Sequence, residues 1–499
     1  MELVRQSALY HFLGVSLRRA DASVSRSMLA AWLGAIWRWL GRQYDRSLLK
    51  SVVKWESRLD EMLNASVFGN LLEVILGLPD RILHGSMVGT VFQNFASRWT
   101  PILMGFTCLV LLSVPYESWN NSYSLYLLIA VLLLTLLSHQ RRFSLREIGF
   151  WPLAFAIVTF GSAYWSVNPG ESSRFLIFAL SCALAVLLCA AAADTPEKLL
   201  RIFLFVALGL LVCCGYGIWQ KMDGIEPNAH YTDLMANAKM PGRVYSFFDN
   251  PNSFANIPVL FAPVMLALFC YSPRLWQRLV FGLAFVLCSV CLVMTYTRGA
   301  WVAWVVSVFA FVLIVRPKAA PWLAALGLLC IPLLPQSVLA RFLTIFSGDS
   351  SINSRAPIYM AIARLIKRNL ILGVGLGSTT LRKAVDANCF YTGTAYFVHS
   401  HNQFTQIWGE SGIFALVSYF FASFFPIKRG IRTGADRALM PVTRAVAAGS
   451  AAGLLGAVLF GLTDYIWSYP RIMLLYWLLF GLMVAAIKIG KTEKPGNPE

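Results

Sequence analysis

Apolar runs of near-membrane length alternate with short polar connections along most of the chain. They lie at approximately 99 to 115, 123 to 138, 149 to 166, 174 to 193, 199 to 220, 253 to 271, 278 to 296, 299 to 315, 320 to 336, 403 to 426, 444 to 462 and 470 to 487. A run of roughly 20 apolar residues covers the hydrocarbon of a bilayer. The pattern therefore predicts an all-α, polytopic transmembrane helical bundle of about 12 spans. Residues 1 to about 98 contain no such run, because charges interrupt every apolar patch. Within them Leu29, Trp32, Leu33, Ile36, Trp37, Leu40, Tyr44 and Leu48 recur at helical spacing, with Arg38, Arg42, Arg46, Lys50 and Lys54 between. That spacing predicts an amphipathic helix on an anionic leaflet, anchored by Trp32, Trp37 and Trp39. The competing reading is a helix packed on a soluble neighbour. No removable signal peptide is expected.

Charge adds orientation. Every second connection is basic: Arg141, Arg142 and Arg146; Arg274 and Arg278; Arg316 and Lys318; Lys428, Arg429, Arg432, Arg437 and Arg444. By the positive-inside rule these face the cytoplasm. Both termini then lie inside, and the connections 221–252, 295–299, 337–402 and 463–469 lie outside. The expected organisation is a cytoplasmic helical extension (1–98), spans one to nine (99–336), an extracytoplasmic catalytic loop (337–402), spans ten to twelve (403–487) and a cytoplasmic tail (488–499) in the inner membrane. Composition agrees, with 58% hydrophobic and 13% charged residues. The net charge of +18 would suit nucleic acid, but it resides in the orienting loops, so no nucleic-acid partner is expected. Most of the ten cysteines sit inside apolar runs, and only Cys389 falls in a long polar loop, which argues against a disulfide framework.

Candidate chemistry concentrates between Asn353 and Ala415. Long outside loops escape the charge rule, so their cations need another reason. Arg355, Arg364, Lys367 and Arg368 alternate with apolar residues in a short amphipathic helix ended by Gly373. Gly373-Val-Gly-Leu-Gly377 lacks the flanking strand and the Lys-Ser/Thr of a phosphate loop, and reads as a tight turn. Arg298, in TYTRGAW, lies at the outer membrane edge, where an arginine snorkels or faces a cavity. Together with Arg243 and Arg355 it could form a guanidinium clamp for a diphosphate.

Ser400-His401-Asn402-Gln403 has the form of a capping box. Ser400 would be the N-cap and His401 would lie in the first helical turn, where the positive end of the helix dipole keeps an imidazole neutral and able to accept a proton. His399 competes for that role, and a solvated loop histidine is the bland reading for either. The two histidines could also chelate a metal, but the sequence offers them no carboxylate partner: Asp386 is distant, and Glu410 falls half a turn away. No metal and no cofactor is expected. Asn402, Asp249, Asn252, Glu410, Asp464 and His399 are candidates for contacts to sugar hydroxyls or the acceptor.

These motifs, AYWSVNP (163–169), RVYSFFDNPNSFAN (243–256), TRGAW (297–301), SRAPIY with ILGVGLG (354–377) and HSHNQFTQIWGESGIFA (399–415), stand in an order that resembles the O-antigen ligase and O-antigen polymerase superfamily of bacterial envelope glycosyltransferases. The resemblance covers roughly 100–487. His401, Asn402 and Gly412 match its histidine motif, whereas Ala415 and Leu370 depart from it. It implies metal-independent transfer, with inversion, of a glycan from a polyprenyl diphosphate (undecaprenyl diphosphate in bacteria) to a glycan, lipid or protein hydroxyl outside the membrane, in polysaccharide or lipopolysaccharide synthesis. By the same resemblance Arg298 and Arg355 would hold the diphosphate, Arg243 would assist, and His401 would deprotonate the acceptor. The choice between ligase and polymerase stays open. A flippase or transporter would instead place its ionisable groups near the membrane midplane, and a scaffold would not need the edge arginines.

Overall fold

The computed structural model describes residues 86–138, 148–226, 241–343, 355–393 and 397–493, with 48–64 and scattered positions before 86. Its contacts divide the chain into Met1–Ser66 and Val67–Glu499. The first unit contributes α1 (Leu48–Asn64), and Trp39 and Trp55 are exposed there. The amphipathic expectation for 28–55 lies largely outside the described residues, Trp32 and Trp37 included.

In the second unit the helices are α2 (Met87–Ser113), α3 (Asn121–Leu137), α4 (Phe150–Ser162), α5 (Pro169–Ala192), α6 (Pro196–Asp223), α7 (Pro251–Tyr271), α8 (Leu275–Met294), α9 (Arg298–Val315), α10 (Ala320–Cys330), α11 (Gln336–Leu343), α12 (Arg355–Arg368), α13 (Ser378–Ala387), α14 (Gln403–Ala435), α15 (Pro441–Phe460) and α16 (Pro470–Thr492). No strand occurs among the described residues. Each of the expected apolar runs falls on a helix, but only nine of the described helices are long and apolar enough to cross a membrane. Of the rest, α3 and α4 are shorter, and Pro317–Leu333 meets Gln336–Leu343 at a bend of 112°. The expected boundary at 98 falls inside α2: Ser86 caps that helix by accepting from Gly89 N–H, and the helix continues past Gln93 and Arg98 into the apolar run.

Helix starts follow local chemistry. Proline occupies the first turn of α5, α6, α7, α15 and α16, where its missing N–H costs nothing. Thr195 and Asn250 supply capping oxygens ahead of α6 and α7. In lipid, helices associate through close packing of small residues. On α15, a side chain at Gly453 would meet the Leu260 carbonyl oxygen at 2.1 Å, and one at Gly449 would meet Val264 Cα at 2.6 Å, so α7 and α15 touch backbone to backbone. Almost all of α16 is buried against its neighbours. At its start Arg471, 1% exposed, donates to the carbonyls of Val114 and Phe247 and stacks on Phe248, with 4.3 Å to the ring centroid. It thereby ties two interhelical loops to the end of the bundle where α9 and α14 begin.

Candidate active site

Three chain reversals meet at that end: the segment before α14, the turn 461–469 between α15 and α16, and the start of α9. The first differs from the expected capping box. Asn402, not Ser400, is the N-cap, its Oδ1 accepting from Phe404 N–H at 2.9 Å and Thr405 N–H at 3.0 Å. Ser400 cannot reach the first turn, because its N–H donates to Gln406 Oε1 at 2.8 Å and its hydroxyl donates to the Asn402 carbonyl at 2.8 Å. His401 between them takes φ +52°, the left-handed region, and stands ahead of the helix rather than in its first turn. The dipole of α14 is therefore not what orients its imidazole.

Asp464 orients it. His401 Nδ1 lies 3.1 Å from Asp464 Oδ1, which also accepts from Tyr465 N–H at 2.9 Å, while Oδ2 accepts from Asn252 Nδ2 at 2.9 Å. Burial raises the Asp464 carboxyl, but the hydrogen bond and charge of His401, with His399 and Arg355, outweigh it and hold Asp464 well below the usual carboxylate range. An ionised carboxylate only accepts. Nδ1 is then the donor to Asp464, which in the neutral tautomer leaves the lone pair on Nε2.

His399 is placed differently. Its Nδ1 accepts from His401 N–H at 3.2 Å, and its ring lies 5.7 Å from that of Tyr465. Burial lowers its pKa to about 4, with the charges of His401 and Arg355 adding and Asp464 opposing. A histidine whose folded value lies below its unfolded value, about 6.5, binds its proton less readily when folded. The stability it contributes is complete above about pH 6.5 and is lost as pH falls toward 4, at most about 3 kcal/mol. Thermal unfolding of His399→Gln should accordingly show a flatter acid limb over that window than the unsubstituted protein, and identical limbs would refute the assignment.

The arginines converge on the same turn. Arg355 Nη1, at the start of α12, donates to the Thr463 carbonyl at 2.8 Å. Arg298 opens α9, and a side chain at the next residue, Gly299, would meet Thr463 Oγ1 at 2.2 Å. Arg243 donates from Nε to the Thr295 carbonyl at 2.7 Å and from Nη2 to Asn252 Oδ1 at 2.7 Å and Thr297 Oγ1 at 2.9 Å. Burial lowers Arg243 to about 9; the charges of Arg341, Arg298 and Arg355 push the same way, and Asp464 opposes them. Four guanidinium groups thus share one field, an environment suited to a multiply charged anion. Sequence reasoning missed Arg341, which sits on the short helix α11 inside an otherwise apolar stretch.

The remaining candidates separate. Asn252 bridges Arg243 and Asp464 and so links the cationic cluster to the imidazole. Asn402 is occupied in capping, and its Nδ2 donates to the Leu462 carbonyl at 2.9 Å. Asp249 is hydrogen-bonded by Asn250 and belongs to the electrostatic neighbourhood of Arg471 and Tyr469. Glu410, 4% exposed, lies behind the His401 segment. The structure also supplies the carboxylate that the sequence withheld from a metal site, since ligand atoms of His399, His401 and Asp464 all lie within 4.8 Å of one another. Two imidazoles and a carboxylate could take a divalent ion. Against that fit, His399 Nδ1 is engaged by a backbone N–H and the surrounding guanidinium charge repels cations.

The glycine turn is a docking element. Gly373, Gly375 and Gly377 have φ of 71°, 107° and 101°, and the turn fits into a break in α14 at Gly412, φ 80°. Carbonyls freed at the break are taken up: Val374 N–H donates to Gly409 and Gly375 N–H to Glu410, while Ile413 N–H donates to Leu370. Only glycine combines that φ with a carbonyl, Ile371, 1.9 Å from where a Cβ would stand. Beside this junction a cavity lies between α4, α5, α14 and α16, lined by Ala156, Phe160, Ala179, Ala183 and Trp477, with Glu410 and Tyr465 also on its wall.

No curated protein matches the chain. Residues 283–420 match the Wzy_C family, described as O-Antigen ligase; the match includes Arg298, Arg341, Arg355, His399 and His401, and leaves out Arg243, Asn252 and Asp464. The match over residues 283–420 supports a place in the O-antigen ligase superfamily, and nine of the described helices are long and apolar enough to cross a membrane.

Proposed function

We propose that this protein transfers a glycan from a polyprenyl diphosphate to an acceptor hydroxyl at the outer face of the cytoplasmic membrane. The observation that carries the reading is the His401–Asp464 contact at 3.1 Å on the turn where Arg355 also docks, at Thr463. His401 Nε2 takes the proton of the acceptor hydroxyl as its oxygen bonds to the anomeric carbon. The bond from that carbon to the diphosphate breaks on the opposite face, and the electron pair leaves on the phosphate oxygen, with inversion. Asp464 stabilises the imidazolium that forms. Arg298, Arg355 and Arg341 meet the charge growing on the diphosphate, supported by Arg243; such preorganised charge needs no reorganisation during the step. His401, rather than His399, serves as the base, because the Nδ1 of His399 is in use and its proton affinity is low.

Among the described residues, the basic connections at Arg274 and Arg278, at Arg316 and Lys318 and at Lys428 to Arg444 adjoin the helix ends opposite this cluster, which supports an outward-facing site and cytoplasmic termini in the inner membrane. The apolar cavity lies on the Tyr465 side of the turn, away from Thr463 and the arginines, a position suited to the hydrocarbon anchor of a lipid-borne acceptor. That acceptor is the lipid of a ligase reaction or another lipid-linked repeat unit of a polymerase reaction. Arg298→Ala, Arg355→Ala and His401→Ala should each lower glycan transfer in a deletion strain by at least about 10²-fold while the protein still inserts. Full activity in all three would end the proposal. In the strain lacking the protein, single repeats left on the carrier mark a polymerase, and full-length unattached chains mark a ligase.

A further inference from the structure

We infer that Glu410 is a positioning residue that holds the Arg355 segment and the His401 segment in register, an inference that rests on the glycan-transfer reading. Its Oε1 accepts from Gln406 Nε2 at 2.6 Å, and Gln406 Oε1 accepts from Ser400 N–H at 2.8 Å, one residue before His401. Gln406 and Ser400 are both fully buried. The two ends select the same amide orientation: a backbone N–H needs an oxygen opposite it, and the amide nitrogen then faces the carboxylate. On its other side Glu410 meets the glycine turn. Gly377 N–H bonds its carboxylate, and Gly375 N–H donates to its carbonyl at 2.9 Å. That turn follows α12, whose first residue is Arg355. One side chain therefore joins the two segments through hydrogen bonds that water, at this depth, does not replace.

The bland alternative is a buried carboxyl that satisfies nearby N–H groups and has no bearing on the reaction. Kinetics separate the two. A shift of about 1 Å between reacting groups costs about 10²-fold in rate. Glu410→Leu and Gln406→Leu, purified with the full chain and assayed with a polyprenyl diphosphate-linked glycan, should each lose about 10²-fold in kcat with the donor KM unchanged. The double variant should lose no more than the worse single one, because both substitutions cut the same link. Glu410→Gln, whose one amide oxygen can accept from Gln406 while its NH₂ is set against the Gly377 N–H, should recover only part of the rate. Leucine variants with unaltered kcat, or losses that multiply in the double variant, would overturn the inference. Should Glu410→Leu fail to fold, Gln406→Leu decides alone, since it leaves the glycine contacts intact. An inactive His401→Ala beside a fully active Gln406→Leu overturns this inference only, whereas an active His401→Ala removes the reading beneath it.

Discussion

Asp464→Asn is expected to lower glycan transfer by about 10⁴-fold, the scale of loss when the carboxylate orienting a catalytic histidine becomes its amide. Both carboxylate oxygens accept hydrogen bonds: Oδ1 from Tyr465 N–H and His401, Oδ2 from Asn252. An amide must turn its NH₂ toward one of these donors. Facing His401, it forces the proton onto Nε2 and removes the base. Facing Asn252, it sets two NH₂ groups against each other, and relief by rotating Asn252 breaks that residue's bond to Arg243. Neither orientation keeps the imidazole and the cationic cluster together. The measurement is single-turnover transfer from a lipid-linked donor, with donor binding followed separately. Loss of the chemical step with donor binding retained fits the assignment, and a rate within tenfold of the unsubstituted protein contradicts it.

Arg355→Ala should cost about 10²- to 10³-fold, the range for removing one preorganised donor from a developing oxyanion. The conservative Arg355→Lys should recover little, because an ammonium is a point charge without the planar fork that pairs with two phosphate oxygens. The position adds a second reason. Arg355 spends one nitrogen on the Thr463 carbonyl, beside Asp464, so the guanidinium is held by the turn that also fixes the imidazole. A lysine cannot make that contact and face a diphosphate with the same geometry. Steady-state transfer across donor concentrations tests this; substantial rescue by lysine would show that bulk charge suffices and that the fork plays no part.

Much of the fold was legible in hydropathy, because a helix in lipid must satisfy its own backbone and carry an apolar surface. The expected runs found helices, and TRGAW, SRAPIY and HSHNQF each delivered their polar residue to one end of the bundle. What escaped was whatever depended on distant partners. Asp464 stands 63 residues beyond His401, in a turn with no local pattern to mark it as that histidine's neighbour. Nothing in the local pattern marks Arg341, the one charged residue on the short helix α11. The capping box failed for a local reason that only three dimensions reveal: Gln406 reaches back to claim Ser400 N–H, and the chain reverses through a left-handed histidine before the helix can start. Gly412 matched a family pattern by position, yet its purpose appears only when the glycine turn is seen entering the break.

The brevity of α4 has a consequence for the surrounding lipid. Its 13 residues extend about 20 Å, against roughly 30 Å of hydrocarbon in an ordinary bilayer. A shortfall of that kind is met by local thinning of the leaflets. With α4 crossing the bilayer and the proposed reaction at work, such thinning would shorten the descent of a membrane-anchored hydroxyl, and turnover would then depend on the chain length of the host phospholipids.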